Sequence, residues 1–89
     1  MEIYKVSITN MDRSSENPDH ELYFTEIPLI MDIYDNVADD LDLQKALRES
    51  CDATHKSSLK EKFSGGYTTT SLIIEKYYLV VRKLDVIHN

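Results

Sequence analysis

A single cysteine, Cys51, stands in the 89-residue chain, so no intrachain disulfide can form and no zinc site of several cysteines can be built. That usage suits a reducing compartment, and a cytoplasmic setting is the expectation. No stretch approaches the roughly 18 consecutive apolar residues of a membrane span. The first residues, Met1-Glu2-Ile3-Tyr4-Lys5-Val6, lack the basic region and apolar run of an export signal, so no membrane association is expected. Glycine occurs twice, at Gly65 and Gly66, which leaves no Gly-x-x-x-x-Gly-Lys or Gly-x-Gly-x-x-Gly loop to cradle a phosphate. Bases are scarce as well: ten Lys plus Arg face sixteen Asp plus Glu, for a formal charge of −6. A phosphate lattice repels such a chain unless a basic face is segregated from the acids.

What is present suffices for one small domain spanning residues 1–89. Leu, Ile, Val and Phe together supply 24 of the 89 residues, above the roughly 20% below which highly charged chains stay disordered. A chain of this length buries only about 60–65% of its unfolded surface, enough for one core but not for a deep cleft between domains. The charge is uneven along it. Residues 12–52 carry twelve acids and three bases, whereas residues 53–89 carry three acids and six bases. The middle is therefore at −9 and the end at +3, and from Glu26 to Asp42 six acids occur without a base.

Tyr4, Val6 and Ile8 alternate with Lys5, Ser7 and Thr9, the period of a half-buried strand over residues 2–10. Met11 to Asp19 is rich in Ser, Asn, Asp and Pro and reads as a loop, after which Leu22 and Phe24 resume the alternation. The first two strands then form a hairpin. Thr25 offers an N-cap oxygen, Glu26 a favourable charge and Pro28 a first-turn residue, which predicts a helix start there. Its apolar stripe would be Ile27, Ile30, Met31, Tyr34, Val37 and Ala38, with Leu29 and Ile33 outside it. A second helix is expected after Asp40 or Asp42, with Leu43, Ala46, Leu47 and Cys51 inward.

Leu59 to Phe63 reads as a short strand leading into a hairpin turn at Ser64-Gly65-Gly66. Tyr67 to Ile87 is dense in β-formers but too long for one strand, so a turn is placed at Glu75-Lys76, pairing Thr68–Ile74 with Tyr77–Val86. The expected fold is α+β: an antiparallel sheet of four or five strands with one or two helices on one face, in the order ββαα followed by two or three strands.

Several constellations carry chemistry in principle. Cys51 and His55 are four apart, the spacing of one helical face, yet a thiol nucleophile needs an orienting group and zinc needs more ligands, for which only His20, His88 and unassigned carboxylates remain. A lone cysteine is ordinarily a small core residue. Asp32, Asp35, Asp39, Asp40 and Asp42 suggest calcium, but the glycine and the Asp-x-Asp-x-Asp run of an EF-hand loop are absent. Lys76, Tyr77, Tyr78, Arg82 and Lys83 interleave cations with aromatics, as single-stranded nucleic-acid binders do. Alternation along a strand would split them between two faces. No catalytic residue, metal ligand or cofactor is assigned.

The expectation is a non-enzymatic interaction module whose acidic helix and corner meet a protein partner with a basic surface. Its contact residues would be Glu26, Asp32, Asp35, Asp39, Asp40 and Asp42, with Leu29 and Ile33 as apolar anchors. Such a surface suits an inhibitor that mimics nucleic acid in the groove of a host protein, as phage or mobile-element proteins can do, and would then act in the host cytoplasm. The alternatives are a homodimer or other homo-oligomeric accessory subunit, and direct nucleic-acid binding through the C-terminal strand.

Overall fold

The computed structural model describes residues 2–13, 16–50 and 53–85, without the side chains of 53–58. Four strands form one antiparallel sheet: β1 (Glu2–Asn10), β2 (His20–Phe24), β3 (Thr69–Ile74) and β4 (Tyr77–Asp85), in the order β2-β1-β4-β3. Three helices stand between β2 and β3 in the chain: α1 (Ile30–Asp35), α2 (Leu41–Glu49) and α3 (Ala53–Ser64). This is the expected α+β fold in the expected strand order, with four strands and three helices instead of one or two.

Period-two burial decides the faces of the sheet. Tyr4, Val6 and Ile8 of β1 and Leu79 and Val81 of β4 are almost wholly buried, and they pack with Ile30, Ile33, Leu43, Leu47 and Phe63 from the helices. Tyr4 meets Phe63 edge-on, with ring centroids 5.2 Å apart, an arrangement that favours aromatic pairs beyond their buried area. The register Val6↔Val81 and Ile8↔Leu79 aligns the apolar sets of the two central strands; a one-residue slip would turn every one of these side chains to solvent. The two hairpins are where the sequence places them. Glu75-Lys76 is a two-residue turn between Ile74 and Tyr77, and Glu75 has a φ of 55°, the mirror-image backbone that matches strand twist.

The helical block differs from expectation in three places. Helix α1 starts at Ile30, not Thr25, with Leu29 as an extended N-cap residue at φ −90° and ψ 163°. Pro28 disfavours helical backbone in the residue before it, so the turn cannot propagate from Thr25. Asp32 instead accepts the Leu29 N–H at 2.8 Å, the reach-back half of a capping box. The inward face consequently rotates, so that Ile33 is fully buried while Met31 is 38% exposed. Secondly, Leu59 and Phe63 are not a strand. Their four-residue spacing is helical, and both are buried in α3.

Thirdly, Ser64-Gly65-Gly66 is a helix terminus and not a hairpin turn. The Tyr67 N–H donates to the Lys62 carbonyl at 3.1 Å and the Gly66 N–H to the Phe63 carbonyl at 3.2 Å, with Gly66 at φ 98°. This is a Schellman motif, in which glycine supplies the left-handed backbone. Helix α2, by contrast, forms where expected: Leu43, Ala46 and Leu47 are buried, and Asp40 caps it by accepting the Leu43 N–H at 3.1 Å. Gln44 Nε2 reaches the Tyr34 carbonyl at 3.1 Å and ties α2 to the end of α1. Among the described residues no helix is long and apolar enough to cross a membrane.

Candidate functional site

The five aspartates from Asp32 to Asp42 fall into two groups. Asp32 and Asp40 are used by the fold as helix caps. Asp35, Asp39 and Asp42 are exposed, and none of them has an ion-pair or hydrogen-bond partner among the described residues. All three lie within residues 35–42, around the α1–α2 corner. Asp35 ends α1, which has no base in its last turn, although the negative end of a helix favours cations. The fold gains nothing from a carboxylate there.

Asp40 belongs elsewhere. Its Oδ2 lies 2.9 Å from His20 Nε2, both groups being partly buried. Burial works to raise the Asp40 pKa, but the His20 hydrogen bond, the Leu43 N–H and the neighbouring Arg13 charge outweigh it and hold the carboxyl below its ordinary value. The β1–β2 loop continues this network. Asp19 accepts the Asn10 N–H at 2.7 Å and pairs with Arg13 at 3.1 Å, and the Met11 N–H donates to the Lys76 carbonyl at 2.8 Å. Asp40 thus joins the start of β2 to α2. Burial, then Asp40 and Asp42, raise the pKa of the nearby Tyr77 phenol.

Of the two proposed anchors, Leu29 is 40% exposed and Ile33 is not exposed at all. Ile33 is therefore corrected to a core residue, since a helix beginning at Ile30 turns it toward the sheet. Leu29 borders a shallow groove of about 330 Å³, together with Glu26, Ile27 and Lys60. Glu26 and Leu29 thus come together at one end of α1, and Asp35, Asp39 and Asp42 at the other.

The cation and aromatic set of the C-terminal strand is divided between the faces. Tyr77 is buried on the helical side, and Lys83 pairs with Glu2 at 2.9 Å. Lys76 lies in the β3–β4 turn with its ammonium 5.7 Å from the Tyr77 ring centroid. Only Tyr78 and Arg82 lie on the open face of the sheet, where the register places Lys5 opposite Arg82 and Tyr23 opposite Lys5.

His20 was the residue hardest to see in advance. Its signal was the alternation His20-Leu22-Phe24, which puts the imidazole on the covered face opposite Ile8. The Cys51 and His55 pairing lies outside the residues whose side chains are described. Among the described residues no group of three or more His, Cys, Asp and Glu side chains is placed to hold a metal ion. No protein family matches the chain, and neither does any curated protein or solved structure.

Proposed function

We propose that the chain is a non-enzymatic interaction module that engages a basic protein surface through the exposed acids of the α1–α2 corner. Asp35, Asp39 and Asp42 form the charged contact, while Glu26 and Leu29 beside the groove extend it along α1. The observation that carries this reading is the concentration of exposed, unpaired acids within residues 35–42, a stretch without a base. Glu2, Asp19, Glu21 and Asp40 all have a basic partner within 3.5 Å, and the corner acids have none among the described residues. Clustered, unpaired carboxylates steer a cationic partner into fast encounter and fix its orientation. A partner of this chemistry is a nucleic-acid-handling protein, whose basic groove the module would occupy as a competitor, in the manner of a phage or mobile-element inhibitor acting in the cytoplasm.

The test is affinity capture of the tagged chain from cell lysate at low salt, followed by mass spectrometry. The parent chain is expected to recover a basic, nucleic-acid-handling protein, and the triple variant D35K/D39K/D42N to lose it while keeping its circular dichroism. Equal recovery by both chains refutes the role of the corner. Asp40 is left out of the variant because it caps α2 and pairs with His20.

A further inference from the structure

The two edges of the sheet are finished differently. An edge strand presents a row of unpaired N–H and C=O groups, which proteins ordinarily blunt with a short strand, a charge, a proline or a bulge. Strand β2 follows that rule: it spans five residues, with His20 tied to Asp40 and Glu21 to Lys5. Strand β3 does not. From Thr69 to Ile74 it has no charge and no proline, and its register with β4 is unbroken.

The direction of its free groups follows from one bond. The Lys83 N–H donates to the Thr68 carbonyl at 2.8 Å, so antiparallel alternation aims the backbone groups of Thr70, Leu72 and Ile74 at Val81, Leu79 and Tyr77. Thr69, Ser71 and Ile73 direct theirs away from β4. All three residues are exposed, and among the described residues no backbone hydrogen bond from another element reaches them. The side chains leave matching gaps. Leu72 packs against the helical side yet is only half-buried between the buried Thr70 and Ile74, and Ile73 on the other face is 62% exposed.

We infer that the β3 edge is a strand-addition site, which takes an extended, apolar segment of another protein with basic residues at its ends. The backbone selects an extended chain. Its free donors and acceptors repeat about every 6.8 Å, two residues of strand, a spacing that another extended polypeptide matches along its length. A strand laid about 4.8 Å beyond β3 would cover Leu72 on one face and Ile73 on the other, so apolar side chains are expected on both faces. Charge selects a foreign chain over a second copy. Each copy carries −6, which repels its like and attracts a segment with cationic ends. Glu75 stands exposed where β3 ends, with the Lys76 ammonium turned to the Tyr77 ring. The inference does not rest on the corner acids.

The probe is an acetylated, amidated peptide of valine and threonine residues with a lysine at each end, and the readout is amide hydrogen exchange of the protein by NMR. In the free chain the Ser71 and Ile73 amides should exchange at least about tenfold faster than that of Leu72. Peptide at about 1 mM should slow both at least about tenfold. Ser71→Pro deletes an outward N–H and leaves the inward ladder whole, as edge strands tolerate, and should abolish the protection of Ile73 by the peptide. Should that variant unfold, a fully N-methylated peptide, with the same side chains and no donors, should fail to slow exchange in the parent chain. Exchange unchanged by the unmodified peptide overturns the inference. So does protection that survives N-methylation or a folded Ser71→Pro, or that appears at Glu21 and Tyr23 of β2 instead. Slow exchange of Ser71 and Ile73 in the free chain that is lost on dilution would give the edge to a second copy and overturn it too.

Discussion

Ion pairs gather in the sheet and its first loop, and among the described residues none reaches the exposed acids of the α1–α2 corner. In the sheet and loop, Lys5, Arg13, His20 and Lys83 each hold a carboxylate within 3.5 Å, and Asn10 and Asp19 also bind backbone groups. At the corner, Asp35, Asp39 and Asp42 stand exposed with no partner among the described residues. Acids adjacent in sequence can thus differ entirely in role: Asp40 caps a helix and binds His20, while Asp39 touches nothing the fold requires. Asp42 lies in the first turn of α2, where its charge suits the helix dipole, whereas Asp35 and Asp39 bring the fold no such benefit and point to something outside the chain.

The largest effect should come from the sheet core. Leu79→Ala removes a fully buried side chain and is expected to cost about 2–5 kcal/mol. Val80→Ala, one residue away on the open face, should cost less than about 1 kcal/mol. Urea denaturation of both variants measures the difference, and equal costs would break the assignment of faces. Next in size, Asp40→Ala should lose about 1–2 kcal/mol by removing a cap and a hydrogen-bond partner of His20. Asp39→Ala should stay within about 0.5 kcal/mol of the parent.

The Asp40 contribution has a defined pH dependence. Its folded pKa lies below the ordinary value of 3.8, so the unfolded chain takes up the proton first as pH falls. The stabilisation is present above that ordinary value and is lost as pH drops through the lower folded value. The stability gap between the parent chain and Asp40→Asn should therefore narrow below about pH 4, as thermal melts across the acid range would record. The smallest effect lies in the β3–β4 turn. Glu75→Gly should raise stability by about 0.5 kcal/mol, since a left-handed backbone costs a side-chain-bearing residue about 1–2 kcal/mol and glycine returns part of that gain as unfolded-state entropy. A lower midpoint in urea would count against it.

The sheet was legible because alternation is a strong local signal. Tyr4, Val6 and Ile8 marked β1, and the polar pair Glu75-Lys76 marked the second turn without any glycine. Helix boundaries were harder, because they depend on single residues with competing meanings. Pro28 could open a helix or forbid one in the residue before it, and the burial of Ile30 and Ile33 settled the matter. Gly65-Gly66 signals chain reversal in a hairpin and at a helix end alike. Only the four-residue spacing of Leu59 and Phe63, present in the sequence, separates the two. At the site, charge density was readable from Glu26 to Asp42, but the division of those acids was not. It depends on His20, twenty residues before Asp40, and such a contact has no local signature.

The central claim is that the unpaired corner acids attract a basic partner. Its most direct measurement is the association rate with the captured partner as ionic strength rises from about 0.05 to about 0.5 M, where the Debye length falls from about 14 to about 4 Å. The rate for the parent chain should fall at least about tenfold, while that of D35K/D39K/D42N should start low and change little. A parent rate indifferent to salt, or a triple variant that matches the parent throughout, would contradict it.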